Sequence, residues 1–148
     1  MDNQQLLDDL ASWLELRLHE TVGWGSGSRI YGLTLLDPEA LGRNGDEAAR
    51  FTFLAEGDVY ALLESPTAVM ATMFEAIGLC CFGTATRLDT GERHRCRTLL
   101  VANEWGQSTV NRLKGLRPER MGVSSGPVAE RVAELFDAIR STETHRPT

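Results

Sequence analysis

The sequence predicts an α+β domain: an antiparallel sheet with a three-stranded meander at about residues 79–114, flanked by an N-terminal, a central and a C-terminal amphipathic helix. Three observations predict it. Apolar residues recur at helical spacing near both ends of the chain. Two β-rich runs bracket turn-forming residues in its second half. No repeat and no long linker divides the 148 residues, so residues 1–140 read as a single domain and 141–148 as a frayed tail.

Each element has a local reason. Asp2 is placed to cap the first helix, with Gln5 at the third helical position. Leu6, Leu7, Leu10, Trp13, Leu14 and Leu18 share one face, and the helix is expected to end near His19 or Glu20. Gly23-Trp24-Gly25-Ser26-Gly27-Ser28 reads as a flexible connector. A strand follows at 29–36, ended by Asp37-Pro38, then a polar stretch at 37–50 and a short strand at 51–54. Residues 58–64 read as a short helix. Ser65-Pro66 then starts the central helix, with Val69, Met70, Met73, Phe74 and Ile77 as its apolar face and Gly78 as its C′ glycine. Strands at 79–88 and 93–103 flank Asp89-Thr90-Gly91-Glu92. A turn centred between Thr90 and Gly91 sets Thr86 opposite Arg95 and Phe82 opposite Leu99. Glu104-Trp105-Gly106 turns the chain into a third strand at 107–114. Residues 115–125 read as loop, and Gly126-Pro127 opens a last helix to about Arg140, with Val128, Val132, Leu135, Phe136 and Ile139 on one face.

A 16.3 kDa chain that is 42 % hydrophobic and 24 % charged argues against wholesale disorder. A domain of this length buries about 68–70 % of its unfolded surface, enough for a core without metals or disulfides. No apolar run approaches the roughly 18 residues of a membrane helix, and the polar, acidic start is unlike a secretory signal, so the expectation is a cytoplasmic protein with no membrane partner. Cys80, Cys81 and Cys96 fit reduced thiols better than disulfides. The net charge of −6 is unevenly spread. Residues 1–86 hold 13 acids and 4 bases, whereas residues 87–120 hold 4 acids and 8 bases. An acidic body with a basic stretch argues against nucleic-acid binding over the whole surface and permits a local anion site.

Phe82-Gly83-Thr84-Ala85, Arg93-His94-Arg95-Cys96-Arg97, Leu99-Leu100-Val101-Ala102, Val110-Asn111-Arg112-Leu113 and Gly126-Pro127-Val128-Ala129 follow one another over residues 78–135. In this order the chain resembles a group of short, uncharacterised actinobacterial proteins. The resemblance implies no activity.

The strongest site signal is the alternation of Arg93, Arg95 and Arg97, which sends three guanidiniums from one sheet face. Thr84 and Thr86 lie across from them and add hydroxyl donors. Such a face binds phosphate or the carboxylates of a partner. The plainer reading is a solvated hairpin end paired with Glu92 and Asp89, worth about 0–1 kcal/mol per pair. Trp24 between glycines either plugs the core edge or sits in a contact surface. No metal site, catalytic residue or cofactor is assigned. Cys80 and Cys81 point to opposite faces of a strand, and His19, His94 and His145 sit in no nucleophile-activating motif. The leading expectation is a small interaction or regulatory module, probed by a partner protein or an acidic ligand at Arg93, Arg95, Arg97, Thr84, Thr86 and Trp24, and homodimeric through spare apolar helix surface. One alternative is an enzyme or small-molecule binder whose pocket is lined by Cys80, Cys81, Phe82, Tyr31, Met70 and Met73. Another is a nucleic-acid accessory protein using the basic segment at 87–120, which includes Arg112, Lys114, Arg117 and Arg120. That segment lacks the interleaved aromatics that stack bases.

Overall fold

The computed structural model describes residues 2–144, with side chains through Asp137. It is an α+β fold built on one six-stranded antiparallel sheet. The strands are β1 (Ser28–Leu35), β2 (Ala49–Gly57), β3 (Ala76–Thr86), β4 (Arg93–Asn103), β5 (Gly106–Leu113) and β6 (Glu119–Gly122), in the spatial order β2-β1-β3-β4-β5-β6. The meander expected at 79–114 is β3–β4–β5. The sheet is larger because β2 runs nine residues and because β6 forms an edge within the stretch read as loop.

Helix α1 (Asn3–Thr21) lies on one face. Asp2 Oδ1 accepts the Gln5 N–H at 2.7 Å, as its cap position demands. Leu7, Leu10, Trp13, Leu14 and Leu18 are buried against Tyr31, Leu33, Cys80, Leu99, Val101 and Val110. The helix ends where the Val22 and Gly23 N–H groups both reach the Leu18 carbonyl, with Gly23 in the left-handed region at φ 68°. A short helix α2 (Pro38–Leu41) and a 3-10 turn (Asp46–Ala48) close the same side through Ala40, Leu41 and Ala48. On the opposite face α3 (Val59–Glu64), α4 (Pro66–Ala71) and α5 (Pro127–Thr144) contribute to a second core of Ile30, Leu63, Ala68, Ile77, Leu79, Leu100, Val132 and Phe136. Helix α5 continues four residues past Arg140. The side chain of Ile139 and all of residues 145–148 lie outside the described residues.

The central helix differs most from expectation. Ser65 caps α4 as read, its Oγ accepting the Ala68 N–H, but the helix stops at Ala71. Val69, Met70 and Met73 face outward, with Met73 87 % exposed. Ile77 and Gly78 belong to β3, whose residues 76–80 are buried. Gly78 is therefore a close-approach position, not a helix terminator. A Cβ there would stand 2.7 Å from Leu14 Cδ2, so bare backbone is what lets α1 press onto the sheet.

The β3–β4 register also shifts by two residues from expectation, to Thr86 opposite Arg93, Thr84 opposite Arg95 and Phe82 opposite Arg97. The cause lies in the turn. Gly91 takes φ 71° and donates to the Arg87 carbonyl, while Arg87 donates to the Glu92 carbonyl. This centres the connection one residue earlier. A shift of two preserves which residues share a face.

Candidate functional site

Arg93, Arg95 and Arg97 do project from one sheet face, the one α1 covers, but α1 covers only part of it. Arg97 lies under the end of α1 and is 1 % exposed. Its Nη2 donates to Glu15 Oε1 at 2.8 Å and to His19 Nδ1 at 2.8 Å, and its Nη1 donates to the Gly23 carbonyl at 2.7 Å. Its Nε is buried and has no hydrogen-bond partner among the described residues. Arg112, one strand over, grips the same carboxylate with Nε to Oε1 and Nη2 to Oε2, the latter at 2.9 Å. Two guanidiniums thus share one carboxylate inside the protein, a buried cluster with one positive charge in excess. The expectation that all three arginines form one open face does not hold for Arg97.

Glu15 was not singled out from the sequence. A signal was there: it falls four residues after Ala11 and three before Leu18, on the apolar stripe itself. Burial pushes its carboxyl up, but hydrogen bonds from Arg112 and then Arg97 outweigh burial and hold it below its ordinary 4.5. His19, exposed at the end of α1, is held below 6.5 by partial desolvation first and by Arg112 and Arg97 next. Since arginine only donates, His19 Nδ1 accepts, which places the neutral ring's proton on Nε2. Both depressed values act in the same direction. The folded state resists protonation, so stability is full above pH 6.5. It falls as His19 is forced to charge below that value, and falls again as Glu15 protonates below 4.5. The melting temperature should therefore decline in two stages on acidification. A His19→Gln variant should flatten the upper stage and keep the lower. An unaltered upper slope in that variant would exclude His19 as its source.

Beyond the end of α1 the face opens. Arg95 is exposed, and its Nη2 donates to the Gly25 carbonyl at 2.6 Å. Trp24 is half-buried beneath the arginines, its ring 5.0 Å from the Arg97 guanidinium carbon and 5.8 Å from that of Arg95, with Phe82 6.4 Å away. Arg93, Thr84 and Thr86 are exposed on the same face. Lys114, exposed, joins them: its N–H donates to the Arg95 carbonyl at 2.8 Å, so the two residues are neighbours across the β4–β5 ladder. Among the described residues Arg93, Arg95 and Lys114 make no ion pair. The acids nearest in sequence are engaged elsewhere, Asp89 with Arg87 and Glu92 with His94. The hairpin acids thus leave this face unneutralised.

The residues expected to line an apolar pocket do not converge. Cys80 and Tyr31 belong to the α1-side core and Cys81 packs against the other, while Met70 and Met73 face outward. The three thiols are free. Burial pushes Cys80 up to about 12 and also raises Cys81, which is the condition of an unreactive thiol. Among the described residues no group of three or more His, Cys, Asp or Glu converges to hold a metal ion, and no helix is long and apolar enough to cross a membrane. Of the remaining basic residues, Arg120 is tied to Asp9 and Ser12 on α1. His145 lies outside the described residues. Comparison of the chain with known protein families, with curated proteins and with solved structures returns no match.

Proposed function

We propose that the protein is a small interaction module that docks an acidic segment of a partner protein on the sheet face of Arg93, Arg95 and Lys114. The observation that carries this reading is the grouping of three exposed cations on one face that make no ion pair among the described residues, in a chain whose net charge is −6. Glu15, the carboxylate buried beside this face, is consumed by Arg97 and Arg112. Thr84 and Thr86 stand opposite Arg95 and Arg93 and add hydroxyl donors. A protein segment suits the face better than nucleic acid because its aromatics are engaged: Trp24 lies under the guanidiniums and Phe82 packs against Trp24, so neither ring is presented to a base.

The test is binding of a fluorescein-labelled deca-glutamate peptide, followed by anisotropy at two salt concentrations. The Arg93→Ala/Arg95→Ala double variant should lose about tenfold or more in affinity, while its melting temperature stays at the wild-type value. Unchanged affinity in that variant would sink the proposal. A single-stranded oligonucleotide of matched charge is the control, and tighter binding of the oligonucleotide would move the reading to nucleic acid.

One observation favours a second reading, a small-molecule binder. An open groove of about 400 Å³, lined by neither Arg93 nor Arg95, lies between Trp13, Arg17, Leu36, Arg50 and Phe51. Its size is within the range of ligand sites, and Arg50 in it makes no ion pair among the described residues. A metabolite thermal-shift screen separates the two readings, since the groove and the Arg93 face respond to different variants.

A further inference from the structure

The loop at residues 23–27 was expected to be a slack connector. It is instead bound to the docking face by the groups that face would use on a ligand. The Gly25 carbonyl holds Arg95, the Gly23 carbonyl holds Arg97, and the Trp24 ring lies against both guanidiniums. We infer that this loop is an internal competitor for the acidic segment: in the free protein it occupies Arg95 through the Gly25 carbonyl and holds its guanidinium against the Trp24 ring, and the incoming carboxylates displace it. This inference rests on the docking reading above.

The two ends of the clasp are unequal, and that inequality decides which one opens. Arg97 is anchored from behind by Glu15 and His19, so its bond to Gly23 is one of several. Arg95 has no acceptor but the Gly25 carbonyl among the described residues, and it is exposed. A guanidinium carries five donors in a fork that matches a carboxylate. One neutral carbonyl uses a single donor, and a charged, bidentate acceptor binds roughly twice as strongly per bond. A carboxylate therefore outcompetes Gly25 at Arg95, whereas it gains little at Arg97. Gly23 and Gly27 bound the segment, so its backbone can swing as Trp24 leaves the guanidiniums. The free protein accordingly binds below its intrinsic affinity by the fraction of time the loop is closed.

The experiment compares wild type, Trp24→Ala and Trp24→Leu with the same deca-glutamate peptide. The leucine variant keeps an apolar contact for Phe82 and guards against a merely unfolded alanine variant; circular dichroism and melting temperature check both. Each variant should bind about two- to fivefold tighter than wild type, the factor carried by one exposed cation–π contact. Peptide should also shift the tryptophan emission of the wild type, and this shift should be absent in both variants. If the wild type binds the peptide and the variants bind equally or more weakly, the loop is not a competitor and the docking reading stands. If none of the three binds, the docking reading itself falls and the clasp with it.

Discussion

Glu15→Ala is expected to cost about 3–5 kcal/mol of folding stability, because it leaves Arg97 and Arg112 as buried cations without their carboxylate. At about 2–4 °C per kcal/mol for a chain near this length, thermal melting reads the loss easily, and urea unfolding gives it directly. A loss under about 1 kcal/mol would mean that water reaches the pair. The complementary triple variant, Glu15→Leu with Arg97→Met and Arg112→Leu, removes all three charges at once. It should be near neutral or stabilising, since desolvation opposes most of the attraction in a buried ion pair. A triple variant as unstable as Glu15→Ala would show that the cluster is irreplaceable for packing rather than for charge.

Trp13→Ala is expected to cost a similar amount, about 3–5 kcal/mol. Trp13 is 2 % exposed and joins three elements. Its indole N–H donates to the Gly45 carbonyl at 2.8 Å, its ring meets the Phe51 edge with centroids 6.1 Å apart, and the Arg17 guanidinium lies 4.6 Å above it. Trp13→Phe keeps most of the volume and loses the hydrogen bond, so it should cost less than half as much. If the phenylalanine variant is as unstable as the alanine variant, the Gly45 bond rather than the packing holds the segment between β1 and β2.

These two residues show what was legible beforehand. Trp13 sits in a stripe of leucines at spacings of three and four, and a periodic stripe needs no tertiary knowledge to be read as a buried helix face. Its polar partner, a backbone carbonyl 32 positions away, leaves no trace in side-chain pattern. The bounds of β4 were equally plain, since turn residues flank it on both sides. The residues after Ser65-Pro66 were not. Met70, Met73, Phe74 and Ile77 fit helical spacing, while the run Ala76-Ile77-Gly78-Leu79-Cys80 is buried and so lacks the alternation of a half-exposed strand. Short apolar runs of that kind fit either element. At the site, alternation placed Arg93, Arg95 and Arg97 on one face correctly. It said nothing of where α1 would end over that face, which is what buries Arg97 and leaves Arg95 open. Lys114 was seen as part of a basic segment, and only the β4–β5 ladder brings it beside Arg95.

The pairing of Glu15 with Arg112 spans 97 positions, and this sets an order of events during synthesis. Helix α1 is made well before the strands it covers. At ribosomal rates of about 5–20 residues per second, its leucine stripe waits roughly 5–20 s for β5 to be made. Glu15 keeps its water through most of that interval, because neither Arg97 nor Arg112, the two guanidiniums that replace it in the fold, has yet been made. The acid at the centre of the finished fold is thus a solubilising group for the nascent helix, and it becomes a structural ion only when the last of its partners is made.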